Sequence, residues 1–388
     1  MTFDREYFDT GLNRNGTRSE KWDVCRRKHG ADVLPMWVAD MDFPSPPACT
    51  DAILRRAAHP TYCYTETGDD DAKALTDFWK RRHGLVIAPE QTVMLPCVVS
   101  GIKIMLHALT KLGDGVVIFS PVYGPFRFSV EATGRKLMDC PLQRGADGRY
   151  GIDYEATEEA LRRGARAVLL CNPHNPVSRL WKREELTALL EIVNRYGAYL
   201  ISDEIHADFV YAPGEFIPAL SLQTERVVSL CAASKTFNLA GLQQASCLCP
   251  DVAMRDRIIH AVETCGVTSG NIFALEATRA AYTEGDAWLD GLVAYLDGNR
   301  GTLARLVEEQ LPEAVLTPIE ATYLAWLDMS AYGFDCAELA ARTEKAGVIF
   351  TQGDFFGQGG DKHLRLNFAC PRRYLTEGVR RLRKAVDG

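Results

Sequence analysis

Val227-Val228-Ser229-Leu230-Cys231-Ala232-Ala233-Ser234-Lys235-Thr236-Phe237-Asn238-Leu239-Ala240-Gly241-Leu242-Gln243 begins as a short apolar run, breaks into small residues and then offers a lysine. The run predicts a buried strand. A lysine just past such a strand sits near the interior, where loss of water lowers an amine's pKa and frees the lone pair that Schiff-base chemistry needs. An isolated lysine in such a place is more often an ordinary loop side chain, so the reading of Lys235 depends on the rest of the chain.

Upstream, the same pattern recurs. Val116 to Phe119 predicts a strand, followed by Ser120-Pro121-Val122-Tyr123-Gly124-Pro125. Ala165 to Leu170 predicts another, followed by Cys171-Asn172-Pro173-His174-Asn175-Pro176, and Tyr199 to Ile201 a third, followed by Ser202-Asp203-Glu204-Ile205-His206. Between the last two, Leu186, Leu189, Leu190 and Val193 share one helical face, and Gly197 stops that helix. Apolar strands alternating with helices imply a mostly parallel sheet covered on both sides, the α/β class. Ligands bind such sheets outside the carboxyl ends of the strands. Tyr123, Asn175, Asp203 and Lys235 each follow a strand end. Any one of them has a bland explanation, since loops often begin with polar residues; four together point to an active-site cleft.

Outward from this core, Pro47 to Ala58 and Ala72 to His83 read as helices, the second ended by Gly84. Thr92 to Leu95 reads as a strand, and Pro96 to Gly101 as a turn into a helix Ile102 to Leu112, a geometry able to aim backbone N–H groups at a phosphate. The N-terminal segment, with Asn13 to Thr17 and Lys21-Trp22-Asp23, has little helical periodicity and reads as an extended arm. Prolines keep Leu34 to Pro47 extended or looped, with aromatic and acidic residues that suit a pocket wall or a covered connection. Beyond residue 250 helices dominate. From Thr317 the pattern becomes α+β, with strands at Ala321 to Asp328, Val348 to Thr351 and His363 to Phe368. The expected division is a large domain over residues 46–288, and a smaller α+β domain made of residues 1–45 and 289–388.

The chain has 388 residues, 47% of them hydrophobic and 24% charged, with a formal net charge of -7. That mild acidity, without a basic tract, argues against nucleic acid or an anionic membrane as a partner. The N-terminus lacks the apolar stretch of a signal peptide, and no apolar run approaches the roughly 20 residues of a membrane span. None of the 12 cysteines is spaced as Cys-x-x-Cys, so reduced, buried thiols and a cytoplasmic protein without a metal site are expected.

Pyridoxal phosphate (PLP) demands a definite set of groups. A lysine forms its imine, and a carboxylate keeps the pyridine nitrogen protonated. An aromatic ring stacks on the cofactor, a donor meets its phenolate oxygen, backbone amides hold the phosphate, and an arginine fork grips the substrate carboxylate. Lys235, Asp203, Tyr123, Asn175, the turn at Val98-Val99 and Arg365 supply that set in a workable order. With these residues in place, the chain resembles the fold-type I PLP enzymes, the aspartate aminotransferase superfamily. More narrowly it is similar to the cystathionine β-lyase, or cysteine–sulfur lyase, branch (MalY/PatB-like). The resemblance rests on Lys21-Trp22-Asp23, Trp37-Val38-Ala39-Asp40-Met41-Asp42-Phe43, Tyr62-Cys63-Tyr64-Thr65, the four strand-end motifs, and Arg365-Leu366-Asn367-Phe368-Ala369-Cys370-Pro371-Arg372.

The resemblance implies further roles. Lys235 is the Schiff-base lysine and proton shuttle, Asp203 pairs with the pyridine nitrogen, Asn175 contacts the phenolate oxygen and Tyr123 stacks. Val98, Val99 and Ser234 contact the phosphate. Tyr64 reaches the phosphate of the neighbouring subunit, which implies a homodimer. Arg365 binds the substrate carboxylate with help from backbone near Ala39, and His206 lies near the ring, as a support for Asp203 or as a packed histidine. The chain departs from the family at Cys97 and Cys63, where glycine is usual; a side chain at Cys97 could crowd the phosphate turn, and the sequence does not say what either change does. Gln243 stands where many aminotransferases place an arginine, which favours the lyase branch. The implied activity is PLP-dependent β-elimination from L-cystathionine, L-cystine or another cysteine S-conjugate, giving a thiol, pyruvate and ammonia. An aminotransferase is the alternative. A PLP-binding regulatory protein is disfavoured by the complete catalytic set and the absence of a DNA-binding segment.

Overall fold

The computed structural model describes residues 2–267 and 269–388. Its centre is a seven-stranded sheet: β1 Thr92–Leu95, β2 Gly115–Ile118, β3 Lys136–Asp139, β4 Ala165–Cys171, β5 Tyr199–Asp203, β6 Val227–Cys231 and β7 Ala245–Leu248. The spatial order is β1-β7-β6-β5-β4-β2-β3, with β7 antiparallel to both neighbours and the pairs β6-β5, β5-β4, β4-β2 and β2-β3 parallel. The strands β2, β4 and β6 are apolar on both faces because helices cover both sides, and nearly all of their residues are buried. Helices Pro125–Ala132, Tyr154–Arg162 and Arg183–Arg195 make the crossovers.

A smaller antiparallel sheet follows: β8 Val315–Leu316, β9 Leu324–Asp328, β10 Thr351–Gln352 and β11 His363–Asn367, in the order β8-β9-β11-β10. It packs with the helices Asp286–Gln310, Cys336–Lys345 and Arg372–Asp387. The strand expected from Val348 to Thr351 is split. Val348–Ile349 pairs in parallel with Leu34–Pro35, while Thr351–Gln352 turns to pair with β11.

Two local expectations are corrected. The N-terminal segment is not a plain extended arm: it contains the helices Arg5–Thr10 and Cys25–His29, and a π-helical turn Glu20–Val24. These are too short to show periodicity. Asp4 caps the first, and Phe8 is buried against Phe43, Trp288 and Tyr295. The helix after β1 begins at Val98 rather than Ile102, and ends at Leu109. Among the described residues no helix is long and apolar enough to cross a membrane.

Candidate active site

The strand register brings the site residues to one level. Cys171 at the end of β4 lies beside Asp203 at the end of β5, and Asp203 lies beside Leu230 of β6. Beyond β6 a single helical turn, Ala233–Thr236, carries Ser234 and Lys235. Beyond β4 the chain turns through cis peptides at Asn172–Pro173 and Asn175–Pro176. Asn175 accepts a backbone hydrogen bond from Tyr123 at 3.1 Å, so the loops after β2 and β4 are tied together.

Asp203 is 5% exposed, and its side chain accepts from the Ile205 N–H at 3.1 Å through Oδ1. Burial pushes this carboxyl up to about 7, against the Ile205 hydrogen bond and the nearby Lys235. Lys235 Nζ donates to the Ala39 carbonyl at 2.6 Å. Burial lowers this amine to about 8; Asp40 and Asp203 oppose the shift and Arg365 adds to it. A buried acid that tends to neutrality and a lysine that tends to a free amine therefore face the same space.

Arg365 is 4% exposed and lies in β11 between Leu364 and Leu366, both fully buried on the other face. Its Nη1 donates to Asn175 Oδ1 at 3.2 Å, and its Nη2 to the Trp37 carbonyl at 2.6 Å and Thr351 Oγ1 at 3.1 Å. Its Nε has no partner, and no carboxylate lies within ion-pair distance among the described residues, so Asp354 is not its counter-ion. Burial pushes the guanidinium down to about 10, still charged at neutral pH. A buried cation without an anion is costly unless a ligand supplies one.

The loop Trp37 to Phe43 closes this wall, and a web of contacts fixes it. Lys21 Nζ pairs with Asp42 at 2.8 Å, Arg14 with Asp40 at 2.8 Å and with Asp42 at 3.0 Å, and Trp22 Nε1 donates to Asp42 at 2.7 Å. Asn367 donates to the carbonyls of Val38 and Asp40, Asn238 to those of Met41 and Phe43, and the Tyr323 hydroxyl to that of Ala39. Two cations matched to two carboxylates make the near-complete burial of Lys21 and Asp42 tolerable.

The remaining expected residues fall as follows. Val98 and Val99 open the helix Val98–Leu109, where backbone N–H groups lack intrahelical acceptors. The backbone at Cys97 does not require glycine. Its φ of -163° is ordinary extended backbone, and its Sγ accepts the Ser100 N–H as the helix cap. Tyr123 is half-buried, with its ring 6.4 Å from that of Phe355. His206 is buried, makes no hydrogen bond to Asp203, leaves Nδ1 without a partner, and is pushed down to about 3 by burial, so its ring is neutral. Ser234 is half-buried on the Lys235 turn. Tyr64 stands apart: it is 96% exposed, in a stretch without regular structure. Gln243 is exposed and bonds its side chain back to the Ala240 carbonyl at 2.9 Å.

Sequence reading did not single out Thr351 or Tyr323, nor place the Trp37 carbonyl on Arg365. Their roles come from the pairing of β10 and β9 with β11, which no local motif announces.

Residues 31–382 match the family described as aminotransferase class I and II. Cystathionine beta-lyase PatB of Bacillus subtilis (strain 168) is 39% identical over 386 residues, spanning 98% of this chain and 100% of that one. A PLP-bound protein of Clostridium difficile 630, named provisionally as an aminotransferase, superposes with a TM-score of 0.95 at 35% identity over 98% of this chain and 99% of the other. The PLP-bound C-S lyase of Staphylococcus hominis superposes with a TM-score of 0.92 at 29% identity, over 98% of each chain.

Proposed function

The chain belongs to the aminotransferase class I and II family, and on that footing we propose that it is a PLP-dependent carbon–sulfur β-lyase acting on L-cystathionine, L-cystine or a related cysteine S-conjugate. The observation that carries the reading is the buried, unpaired guanidinium of Arg365 set beside Asn175, in the same cleft as Lys235 and Asp203.

The cleft fits PLP on its own donor set: unpartnered N–H groups at the helix start, a buried carboxylate whose proton affinity is raised, a low-pKa amine and a neutral histidine with an orphaned ring nitrogen. Val98, Val99 and Ser234 would hold the phosphate, Asn175 the phenolate oxygen through its amide, Tyr123 the ring face and Asp203 the pyridine nitrogen; His206 packs nearby as an uncharged wall. When bound, the cofactor supplies an electron sink for the bond-breaking at the substrate α-carbon.

This chain's residues do the rest. Arg365 grips the α-carboxylate with its fork, helped by the fixed Ala39 loop, and so orients the α-C–H bond. Lys235 would hold the cofactor through Nζ and, once the substrate amine takes that place, would accept the α-proton at the same atom. Its depressed pKa keeps a useful fraction in the free-base form near neutral pH. Asp203 would ionise against a cation placed beside it, and its charge would keep the pyridine nitrogen protonated. Loss of the β-sulfur as a thiol, followed by hydrolysis, leaves pyruvate and ammonia.

The active unit in this reading is a cytoplasmic homodimer, in which the exposed Tyr64 meets the partner's phosphate site. The 96% exposure of that aromatic ring in the single chain supports it. In this reading the division at residue 288/289 lies inside the helix Asp286–Gln310, and that helix would link the two domains. An aminotransferase would need a keto acid to turn over. Thiol release from L-cystathionine, L-cystine or another cysteine S-conjugate by purified enzyme without keto acid therefore tests the proposal, and no release from any of them would reject it.

A further inference from the structure

Lys235 rides on a turn of four residues, Ala233–Thr236, which has no side-chain cap. So short a helix has little cooperativity of its own, and outside contacts set its orientation. Apart from Lys235 itself, the side-chain hydrogen bond this turn makes among the described residues is from Thr236 Oγ1 to Asp208 Oδ2, at 2.6 Å. The other carboxylate oxygen of Asp208 meets His83 Nε2 at 2.9 Å. Both side chains are nearly buried, at 7% and 6% exposure. His83 is in turn wedged between the rings of Trp79 at 4.8 Å and Phe216 at 5.2 Å.

Asp208 belongs to the loop that leaves β5 directly after Asp203 and that also carries His206. The Thr236–Asp208 bond therefore joins the two strand-end loops that hold the amine and the carboxylate. Asp208 has one oxygen committed to each neighbour, so it cannot rotate without breaking one contact. Thr236 is β-branched and buried, so its χ1 is stiff and its hydroxyl direction fixes the turn.

We infer that Thr236, held by Asp208 and His83, is a positioning residue that sets where Lys235 Nζ stands relative to Asp203. The inference rests on the reading of Lys235 given above. The valine side chain keeps the shape of threonine without the hydroxyl, so Thr236→Val removes the bond and leaves Asp208 Oδ2 without its donor.

The cofactor-free Thr236→Val protein should capture PLP more slowly than wild type by roughly tenfold, read from growth of the absorption band. Its kcat on L-cystathionine should fall by the same order with KM unchanged, its melting temperature should fall by no more than a few degrees, and Thr236→Ser should restore both rates. Wild-type capture and turnover in Thr236→Val, or a serine variant as slow as the valine one, would overturn the inference. So would a lowered melting temperature with normal rates, which marks a structural tie. Asp208→Asn keeps the volume but offers one acceptor oxygen instead of two; it serves if the valine variant does not fold, and should show the same slow capture. Borohydride fixation and peptide mapping separate the two levels: label at Lys235 with normal kinetics in Thr236→Val overturns the positioning role, whereas label on another lysine overturns the reading beneath it.

Discussion

Arg365 Nη1 donates to Asn175 Oδ1 at 3.2 Å, so the last strand of the smaller sheet is tied to the loop after β4 of the larger one. The rest of the guanidinium is held by the Trp37 carbonyl and Thr351, and its Nε is left unpartnered. A lysine has one point charge and no fork, so it cannot reproduce this set. Arg365→Lys should keep the fold and the cofactor absorption band, while kcat/KM for amino-acid substrates falls at least roughly tenfold, because one good charged hydrogen bond is worth about 1.5–3 kcal/mol. Steady-state kinetics beside a melting curve check this, and an unfolded variant would make Arg365 structural.

Asp203→Asn should separate function from stability. Its carboxyl is raised from 3.8 to about 7 in the folded, cofactor-free chain. The folded state thus binds the extra proton between those values, and the stability this group contributes is present below 3.8 and lost as pH rises through about 7. The asparagine variant should therefore melt higher than wild type without cofactor at about pH 8, with the gain shrinking as pH falls toward about 4. Turnover should drop by roughly a hundredfold or more, since the charge acts where the transition state develops its own. Melting curves across pH, set beside kcat, test both halves.

Cofactor capture by the apoenzyme should follow the free-amine fraction of Lys235. That amine sits at about 8 rather than its ordinary 10.5, so the deprotonated form gains as pH rises and dominates above about 8. The rate of band formation should climb with pH and level off near that value. A rate still climbing through pH 10 would mean that the lysine behaves as a solvent-exposed one.

Tyr64 offers a test of the dimer by complementation. Lys235→Ala and Tyr64→Ala homodimers should each be impaired. In a mixed dimer, one site combines an intact Lys235 from one subunit with an intact Tyr64 from the other. Mixing the two variants under subunit exchange should recover activity, whereas no recovery would place Tyr64 in its own subunit's site or outside any site.

The sheet and four of its strand ends were legible because their signal is local. Tyr123, Asn175, Asp203 and Lys235 each follow an apolar run, and the parallel-sheet rule alone puts such positions in one crevice. What the sequence hid is long-range. Thr351 reaches Arg365 because β10 pairs with β11, and Tyr323 reaches the Ala39 carbonyl by folding over from a strand's start. Asp208 and His83 are 125 positions apart in sequence. At Cys97, where the family usually has glycine, the backbone is extended and the thiol caps the helix, a role that only the folded turn shows.

In the proposed reaction Lys235 and Asp203 drive loss of a β-sulfur rather than exchange of an amino group. The measurement that tests it most directly is the product balance of purified enzyme on L-cystathionine in the absence of keto acid, followed over many turnovers. Thiol, pyruvate and ammonia should accumulate in equal amounts until substrate is spent. A single burst that stops at one product per subunit and resumes only when a keto acid is added would contradict it.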